Sequence, residues 1–491
     1  MLSIRDVAQA SSKISGVNIL GGLLSTAANI LVARRLGPEA LGVVGFVQLW
    51  LLYAGFVRPG LIQAAFREML HLHGQGQEAE ARRLQDVAVT AETAFLLLPA
   101  SAMAAAGFFM DAPGLRAGLW IGSVTFVATS LYQLVDTLQW AHKRFDLITR
   151  VTLLLRVCQP VLLVAGAYAA GVNGVLLAPL GATTAALVYY SWRTAAVSVS
   201  PSWDPAEARR MAWVGLPIVL NGLLYWSFRT SDRTLVAALL PIAAMGYFTF
   251  AMSFITQGCQ LISDFLNVLQ TTLFTELGRL GSVRPLAEKV TRISLLILLC
   301  TGAAAGLAQT GFFPLVALFA PRFLPGVPAF DVLSLNLVCT TAPLLAVTIL
   351  LSTVVDRRHA TNLLQAAGLA VNLLLGWYLA VEGYGLVGIA WSSAVSQLLV
   401  AAGAFALLHP HLFEGAPPAE PARFYLWSAG LVGLTGGLHW LMDRGPFAYV
   451  DGAPWAGAAA LRLAVLTGAW LSAAALVRRR WWGQSLFNTP T

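Results

Sequence analysis

Several ionisable side chains lie within stretches of sequence that are otherwise apolar, and these residues have the chemistry to bind a charged ligand. In the first half of the chain they are Arg58, Glu92, Asp136 and Arg156. A charged side chain at the centre of a bilayer costs at least about 2.5–3.5 kcal/mol, so such groups usually pair with each other or serve function. Two interpretations stay open. The two acids and two bases neutralise one another, or Arg58 binds an anionic ligand and the other three act in gating or coupling.

The second half of the chain carries a similar group. Arg229, Asp232 and Arg233 are spaced at i, i+3 and i+4, which places them on one side of a helix. This spacing indicates either an ion-paired helix end or an outer gate that also releases an anion. Asp264 is an inner gate partner, a proton-coupling carboxylate or a cap at the membrane interface.

Uncharged polar and aromatic residues add a second kind of chemistry. Asn18 and Asn221 occupy near-equivalent places in the two halves and are expected to contact sugars or to form hydrogen bonds between helices. Tyr225 and Trp226 are candidates for stacking on a sugar, whereas most tryptophans are expected to anchor at the membrane interface. Arg462 is expected to extend its charge outward to that interface. The sequence contains no nucleophile, base and acid set and no metal-ligand spacing, so we expect neither a catalytic nor a metal site.

The segments that position these residues are long and apolar. Hydrophobic residues make up 57% of the 491 residues, charged residues 11%, and the mean hydropathy is +0.71. About 20 apolar residues cross a ~30 Å hydrocarbon core as a helix, and the alternation of a membrane barrel is absent. The sequence therefore predicts an all-α polytopic membrane protein with about fourteen spans. The predicted spans are 14–33, 41–66, 87–110, 117–138, 149–170, 173–194, 211–231, 234–262, 291–311, 327–351, 361–381, 384–408, 424–442 and 455–477.

The distribution of basic residues predicts the orientation. With both termini in the cytoplasm, about three basic residues lie on the cytoplasmic side for each one on the opposite side. The net charge of +8 is therefore a topology signal, and no nucleic-acid partner is expected. The four cysteines fall in apolar spans and predict no disulfide framework.

The chain also contains an internal repeat. With an offset of 204 residues, Gly42 aligns with Gly246 in two turns that join the first two spans of a unit. With an offset of 212 residues, Gly171 aligns with Gly383 in two further turns. Two like-oriented six-span units are typical of alternating-access transporters. We predict an N-lobe at 1–200, a C-lobe at 201–410, and two added spans with a basic tail at 411–491.

Three segments resemble one family of transporters. They are "ARRLGPEALGVVGF" at 33–46, "SDRTLVAALLPIAAMGYFTFA" at 231–251 and "FFPLVALFAPRFLPGVPAFDVLSL" at 312–335. They are similar to bacterial polysaccharide-biosynthesis flippases of the multidrug/oligosaccharidyl-lipid/polysaccharide exporter superfamily. The resemblance implies two six-helix lobes around a V-shaped central cavity.

The resemblance also implies a function. It implies a flippase that moves a polyprenyl-diphosphate-linked oligosaccharide from the cytoplasmic to the periplasmic leaflet of the bacterial inner membrane. Arg58, Arg229 and Arg233 would bind the diphosphate, because arginine matches phosphate oxygens. Expected partners are membrane lipids and a polysaccharide polymerase or glycosyltransferases. No cofactor is expected, and two driving forces stay open: coupling to an ion, H⁺ or Na⁺, or mass action from downstream polymerisation. The alternative is a drug or cation antiporter of the same superfamily.

Overall fold

Helices make up almost all of the structure, which is a computed structural model. It describes residues 4–57, 60–142, 144–193, 200–352, 354–442, 444 and 455–481. These residues form sixteen α-helices and no β-strand, which confirms the prediction of an all-α chain. The helices are α1 Ile4–Leu36, α2 Pro38–Phe56, α3 Leu61–Gly74, α4 Glu78–Phe108, α5 Pro113–Ala141, α6 Phe145–Arg193, α7 Pro205–Leu239, α8 Ile242–Leu280, α9 Ala287–Phe319, α10 Val327–Ser334, α11 Asn336–Thr341, α12 Leu344–Leu350, α13 Arg358–Leu379, α14 Gly385–Leu412, α15 Ala419–Met442 and α16 Trp455–Trp481.

The helices have the length and composition of a polytopic membrane protein. Within the described ranges, nine helical stretches are long and apolar enough to cross a membrane. Two of them, Phe145–Arg193 and Arg358–Leu412, contain 49 and 55 residues. At ~1.5 Å per residue each is more than twice as long as a ~30 Å core, so each has the length for two crossings. The number of fourteen spans stays a prediction.

One predicted span is divided in the structure. In place of one span at 41–66, α2 ends at Phe56 and α3 begins at Leu61, and the sequence has Pro59 between them. Proline lacks the amide hydrogen that continues a helix, so hydropathy alone joined segments that the backbone separates. The span predicted at 327–351 matches one candidate span, Pro321–Leu350, which contains three short helices in succession.

The chain divides into two compact units, and the first comprises residues 1–229 with 241–250. Within it α6 packs against α1 and α5, and α5 also packs against α2 and α4. Its long helix α6 breaks at Ala170 and Gly171, where Gly171 has a φ of +58°. Glycine adopts this left-handed conformation without a steric penalty. The turn predicted at this position is therefore present.

The second compact unit comprises residues 230–240 with 251–491. A short π-helical turn, Ala380–Tyr384, joins α13 to α14, and Gly383 within it has a φ of +90°. Gly383 is the residue that the sequence alignment paired with Gly171, and both adopt a positive φ. Helices α15 and α16 pack against α9, where Trp470 lies against Gly302.

Candidate functional site

A cation and two aromatic rings lie together on α7 in the first unit. The Nη1 group of Arg229 donates a hydrogen bond to the Tyr225 hydroxyl, and the guanidinium carbon lies 5.3 Å from the centroid of that ring. The Trp226 ring stands edge-on to Tyr225 at 5.5 Å, and its side chain is 48% exposed. The three predicted site residues Tyr225, Trp226 and Arg229 are therefore brought together. They combine a phosphate-binding cation with aromatic surface.

A second arginine joins α6 to α1. The Nε of Arg156 donates to Oδ1 of Asn18 at 3.2 Å. The stem of Arg156 crosses α1 at Gly21, where a β-carbon would overlap it. The structure thus brings Asn18 and Arg156 together through a hydrogen bond between helices, one of the two roles considered for Asn18.

The carboxylate of Asp136 on α5 accepts hydrogen bonds from three neutral donors. Its Oδ1 accepts from the hydroxyls of Tyr190 at 2.5 Å and Tyr132 at 3.4 Å, and its Oδ2 accepts from the indole of Trp140 at 3.2 Å. The Tyr132 and Tyr190 rings stack with centroids 6.2 Å apart. These contacts fix the carboxylate between α5 and α6 and favour a structural role.

The side chain of Glu92 on α4 contacts the N-terminus of a neighbouring helix, α3. Its side chain is 0% exposed, and Oε2 accepts the backbone N–H of Leu61, the first residue of α3, at 3.1 Å. A carboxylate at a helix N-terminus interacts favourably with the helix dipole, by up to about 2 kcal/mol when partly buried. This contact explains how a buried acid is held within an apolar core.

The second unit contains a buried carboxylate in a polar cluster. Asp232 is 2% exposed; its Oδ1 accepts the N–H of Arg233 at 2.8 Å and its Oδ2 accepts the hydroxyl of Ser393 at 3.4 Å. Asn336 donates to the same Ser393 hydroxyl at 3.1 Å. Among the described residues, Oδ1 of Asn336 is buried without a hydrogen-bond partner. A carboxylate and an amide oxygen in such a place are ligands for a proton or a hard cation.

A second chain of hydrogen bonds runs beside this one. Asn372 donates to the Ser231 hydroxyl at 2.7 Å, and the Ser392 hydroxyl donates to Oδ1 of Asn372 at 2.8 Å. Ser231 and Ser392 adjoin Asp232 and Ser393 in the sequence, so the two chains share helices α7 and α14. We call the six residues the Asp232 cluster: Ser231, Asp232, Asn336, Asn372, Ser392 and Ser393.

The structure does not describe the side chains of three predicted site residues, and a fourth, Arg233, contacts Asp232 through its backbone N–H. Arg58 lies outside the described residues, and so do the side chains of Asn221 and Asp264, whose backbones belong to α7 and α8. Arg233 is half-buried, and its Nε has no hydrogen-bond partner in the part of the chain that the structure describes. The position of Arg462 differs from expectation. It is 2% exposed and donates to the carbonyl of Met442, because the end of α15 covers it.

Within the first unit, helix α2 and the first turns of α8 meet through a pair of glycines. A β-carbon at Gly42 on α2 would overlap the carbonyl oxygen of Ile242, and one at Gly246 on α8 would overlap that of Pro38. The same offset of 204 residues relates Gly42 to Gly246 and Pro38 to Ile242. The two predicted turns of the repeat therefore contact each other through equivalent residues.

Sequence reasoning missed Tyr132, Tyr190, Asn336 and Asn372. The two asparagines interrupt apolar spans, as Asn18 does, and that signal was available in the sequence. Tyr132 lies four residues before Asp136 on α5, so its spacing was a signal, whereas Tyr190 reaches Asp136 only through the packing of α6 on α5.

Comparisons with known proteins agree with these features. The family described as polysaccharide biosynthesis protein matches residues 31–308, more than half of the chain. A search of curated protein sequences found no significant match.

Solved structures resemble the whole fold. A lipid II flippase, MurJ, in an inward closed conformation has a TM-score of 0.70 at 10% identity, covering 95% of this chain and 98% of MurJ. An inward-facing multidrug resistance MATE family transporter of the MOP superfamily has a TM-score of 0.60 at 14% identity, covering 86% and 99%. The MATE transporter ClbM in complex with Rb⁺ has a TM-score of 0.52 at 17% identity, covering 86% and 97%. At sequence identities of 10–17%, the structural similarity establishes the fold alone. The chain belongs to the polysaccharide biosynthesis protein family and has the all-α transporter fold of the MOP superfamily.

Proposed function

We propose that this protein is a flippase that moves a polyprenyl-diphosphate-linked oligosaccharide from the cytoplasmic to the periplasmic leaflet for cell-surface polysaccharide synthesis. Family membership and the fold shared with a lipid II flippase support the proposal. The observation that carries it is the group of Tyr225, Trp226 and Arg229 on α7. A diphosphate needs a cation, and an oligosaccharide needs aromatic surface and polar groups beside it.

The proposed cargo sets the physical task. A diphosphate is strongly hydrated, and its transfer into hydrocarbon without a partner is prohibitively costly. The planar guanidinium of Arg229 matches phosphate oxygens, and the Tyr225 hydroxyl holds that guanidinium in place. Trp226 offers an exposed ring one residue away for a sugar. Arg58, Arg233 and Asn221 remain proposed substrate contacts on the sequence pattern alone.

The Asp232 cluster is the proposed site of the coupling ion, H⁺ or Na⁺. Asp232 supplies a buried carboxylate, and Asn336 supplies a buried oxygen that no donor satisfies among the described residues. The MATE transporter ClbM was solved with Rb⁺, a monovalent cation, and this supports a monovalent ion for the present chain.

Release of the cargo requires the outer turns to separate. The contact of Gly42 with Ile242 and of Gly246 with Pro38 is backbone against backbone, without long side chains to disentangle. Such a contact closes tightly and opens without side-chain rearrangement. The proposed location is the bacterial inner membrane, with both termini in the cytoplasm. A polymerase or glycosyltransferases would act on the same cargo as partners.

A drug or cation antiporter is the second candidate. The likeness to MATE transporters and the buried Asp232 favour it, because a carboxylate binds cations. The position of Arg229 beside two aromatic rings disfavours it, since an arginine repels a cationic drug.

One reconstitution separates the two functions. Proteoliposomes holding the protein are loaded with a fluorescent polyprenyl-diphosphate-linked oligosaccharide, and an impermeant glycosidase reports which leaflet the sugar occupies. In parallel, the efflux of a fluorescent organic cation is followed under a proton or sodium gradient. Glycan movement without cation efflux supports the flippase. Cation efflux without glycan movement supports the antiporter and overturns the proposal.

A further inference from the structure

A large cavity in the second unit has no residue of the Asp232 cluster in its lining, and Arg462 is part of its wall. Its volume is about 1020 Å³, and its walls come from α9, α10, α11, α14 and α15, with one residue from α16. Most of its lining residues are apolar, among them Phe313, Val338 and Leu398. Apolar concavities of this size usually bury a hydrophobic ligand.

The length of the cavity matches one leaflet of a bilayer. Along α14 it extends from Val387, in the first turn of the helix, to Leu398. At ~1.5 Å per residue this distance is about 16 Å, and half of a ~30 Å hydrocarbon core is ~15 Å. The cavity therefore accommodates a hydrocarbon chain that enters from one leaflet and ends near the midplane.

Positive charge lies at one end of the cavity. Arg444 follows the end of α15, and its guanidinium carbon lies 3.9 Å from the centroid of the Trp440 ring. Arg462 also lines this end and donates to the carbonyl of Met442, the last residue of α15. Asp331 also lines the cavity. The described lining residues therefore carry two arginines against one aspartate, a surplus of one positive charge.

Two tryptophans lie where the cavity meets its surroundings. Trp440 and Trp391 line it and are both exposed. Tryptophan concentrates at the headgroup level of membranes, so their position marks where a headgroup would lie. The cation beside Trp440 is then at the depth of a lipid phosphate.

We propose that this cavity binds an anionic diacyl phospholipid from the leaflet on the side of the α15–α16 connection. One acyl chain fills the apolar part, and the phosphate lies at Arg444. A bound lipid would contact α9, α14 and α15 together and so hold the last two helices against the rest of the second unit. The proposal is independent of the cargo and adds a lipid site to the flippase.

Glycines on α15 provide matched variants. A β-carbon at Gly436, which lines the cavity, would meet nothing within 4 Å, and the same holds at the neighbouring Gly437, which does not line it. Gly436→Phe therefore fills the cavity, and Gly437→Phe is the control for a bulky residue on the same helix. Arg193→Ala is the control for Arg444→Ala, because Arg193 also lies over a tryptophan ring, that of Trp192 at 4.8 Å.

The test is native mass spectrometry of delipidated full-length protein titrated with phosphatidylglycerol, phosphatidylethanolamine or undecaprenyl phosphate. We expect one phosphatidylglycerol to bind preferentially, and Gly436→Phe but not Gly437→Phe to abolish that binding. We expect Arg444→Ala to reduce the preference for phosphatidylglycerol over phosphatidylethanolamine about fivefold. One basic residue near an anionic lipid contributes about 1 kcal/mol, which corresponds to that factor. Arg193→Ala should leave it unchanged.

Three results would overturn the proposal. They are equal binding of all three lipids, tighter binding of undecaprenyl phosphate, and normal phosphatidylglycerol binding by Gly436→Phe. A Gly436→Phe variant that fails to fold leaves the Arg444→Ala comparison to decide, since Arg444 is exposed and Arg193→Ala controls for the loss of a guanidinium over a tryptophan ring. An unchanged lipid preference in Arg444→Ala then counts against the site.

Discussion

Gly246 on α8 lies against the backbone of Pro38, the first residue of α2, with no room between them for a methyl group. The reciprocal contact joins Gly42 to Ile242, so one repeat offset generates both halves of the interface. A contact made twice by equivalent residues is what a duplicated chain produces when its two turns face each other. Small residues are required at both positions because the backbones themselves touch.

Alanine at Gly246 should therefore destabilise the protein. The added methyl group overlaps a backbone carbonyl that has no side-chain freedom to move, and overpacking of this kind costs about 1–3 kcal/mol. Gly55→Ala on α2 is the control, because a β-carbon there meets nothing within 4 Å. Thermal unfolding in detergent, followed by size-exclusion chromatography, measures both. An equal or higher Tm for Gly246→Ala than for Gly55→Ala would contradict the contact.

The hydrogen bonds of Asp136 predict unequal effects of one chemical change. Tyr190→Phe removes a donor at 2.5 Å from the carboxylate, whereas Tyr132→Phe removes one at 3.4 Å. A hydrogen bond to a charged group contributes about 1.5–3 kcal/mol, so Tyr190→Phe should cost that amount and Tyr132→Phe clearly less. The free energy of unfolding, measured for both variants in one detergent, tests the order. Equal losses of unfolding free energy in the two variants would show that the hydrogen bond from Tyr190 to Asp136 is no stronger than that from Tyr132.

Asp232→Asn should remove the ion dependence of transport. The change keeps the shape of the side chain and its place beside Ser393 but removes the negative charge that a proton or Na⁺ would neutralise. Translocation in proteoliposomes with and without a proton or sodium gradient measures the dependence. Asp356→Asn, at an exposed aspartate, is the control and should behave as wild type. A gradient effect that persists in Asp232→Asn would exclude this carboxylate from coupling.

Asp204 makes the stability depend on acidity. It precedes Pro205 at the start of α7, where its carboxylate accepts the N–H groups of Glu207 and Ala206 and contacts Arg83. These contacts, that of Glu207 foremost, lower the pKa of Asp204 below its ordinary value of 3.8. A lowered pKa means that the carboxylate stabilises the fold above pH 3.8 and that this contribution is lost as the pH falls below it.

The matching experiment compares wild type with Asp204→Asn. The amide still accepts the two backbone N–H groups but carries no charge for Arg83, so its unfolding should respond less to pH between about 2 and 4. Tm measured across that range in detergent tests the expectation. Parallel pH profiles for the two proteins would show that Asp204 contributes no charge-dependent stability.

Features of the fold that follow from local sequence were predictable. The glycines at 171 and 383 mark turns because a positive φ favours glycine wherever it occurs, and hydropathy identifies long helices without reference to their neighbours. The division of 41–66 was missed, because hydropathy averages over a proline that ends a helix.

The partners of the buried charges were less predictable. Asp136 accepts from Tyr190, 54 positions away, and Asp232 accepts from Ser393, 161 positions away. Such pairs depend on the rotation of each helix about its axis, which sequence periodicity defines poorly in spans that are apolar on all sides. Arg229 was identified by its spacing to Asp232 and Arg233 and Tyr225 by its aromatic ring, and their contact follows from a separation of four residues on one helix.

The central claim is that Arg229 binds the diphosphate of a lipid-linked glycan, and the translocation rate of Arg229→Ala tests it most directly. The matched control is Arg35→Ala, since Arg35 also lies over a tyrosine ring, that of Tyr168 at 5.7 Å, but is exposed. At equal protein abundance we expect Arg229→Ala to translocate the glycan at least about tenfold more slowly, the factor for ~1.4 kcal/mol, with partial recovery in Arg229→Lys. Arg35→Ala should match wild type. A wild-type rate for Arg229→Ala would contradict the account.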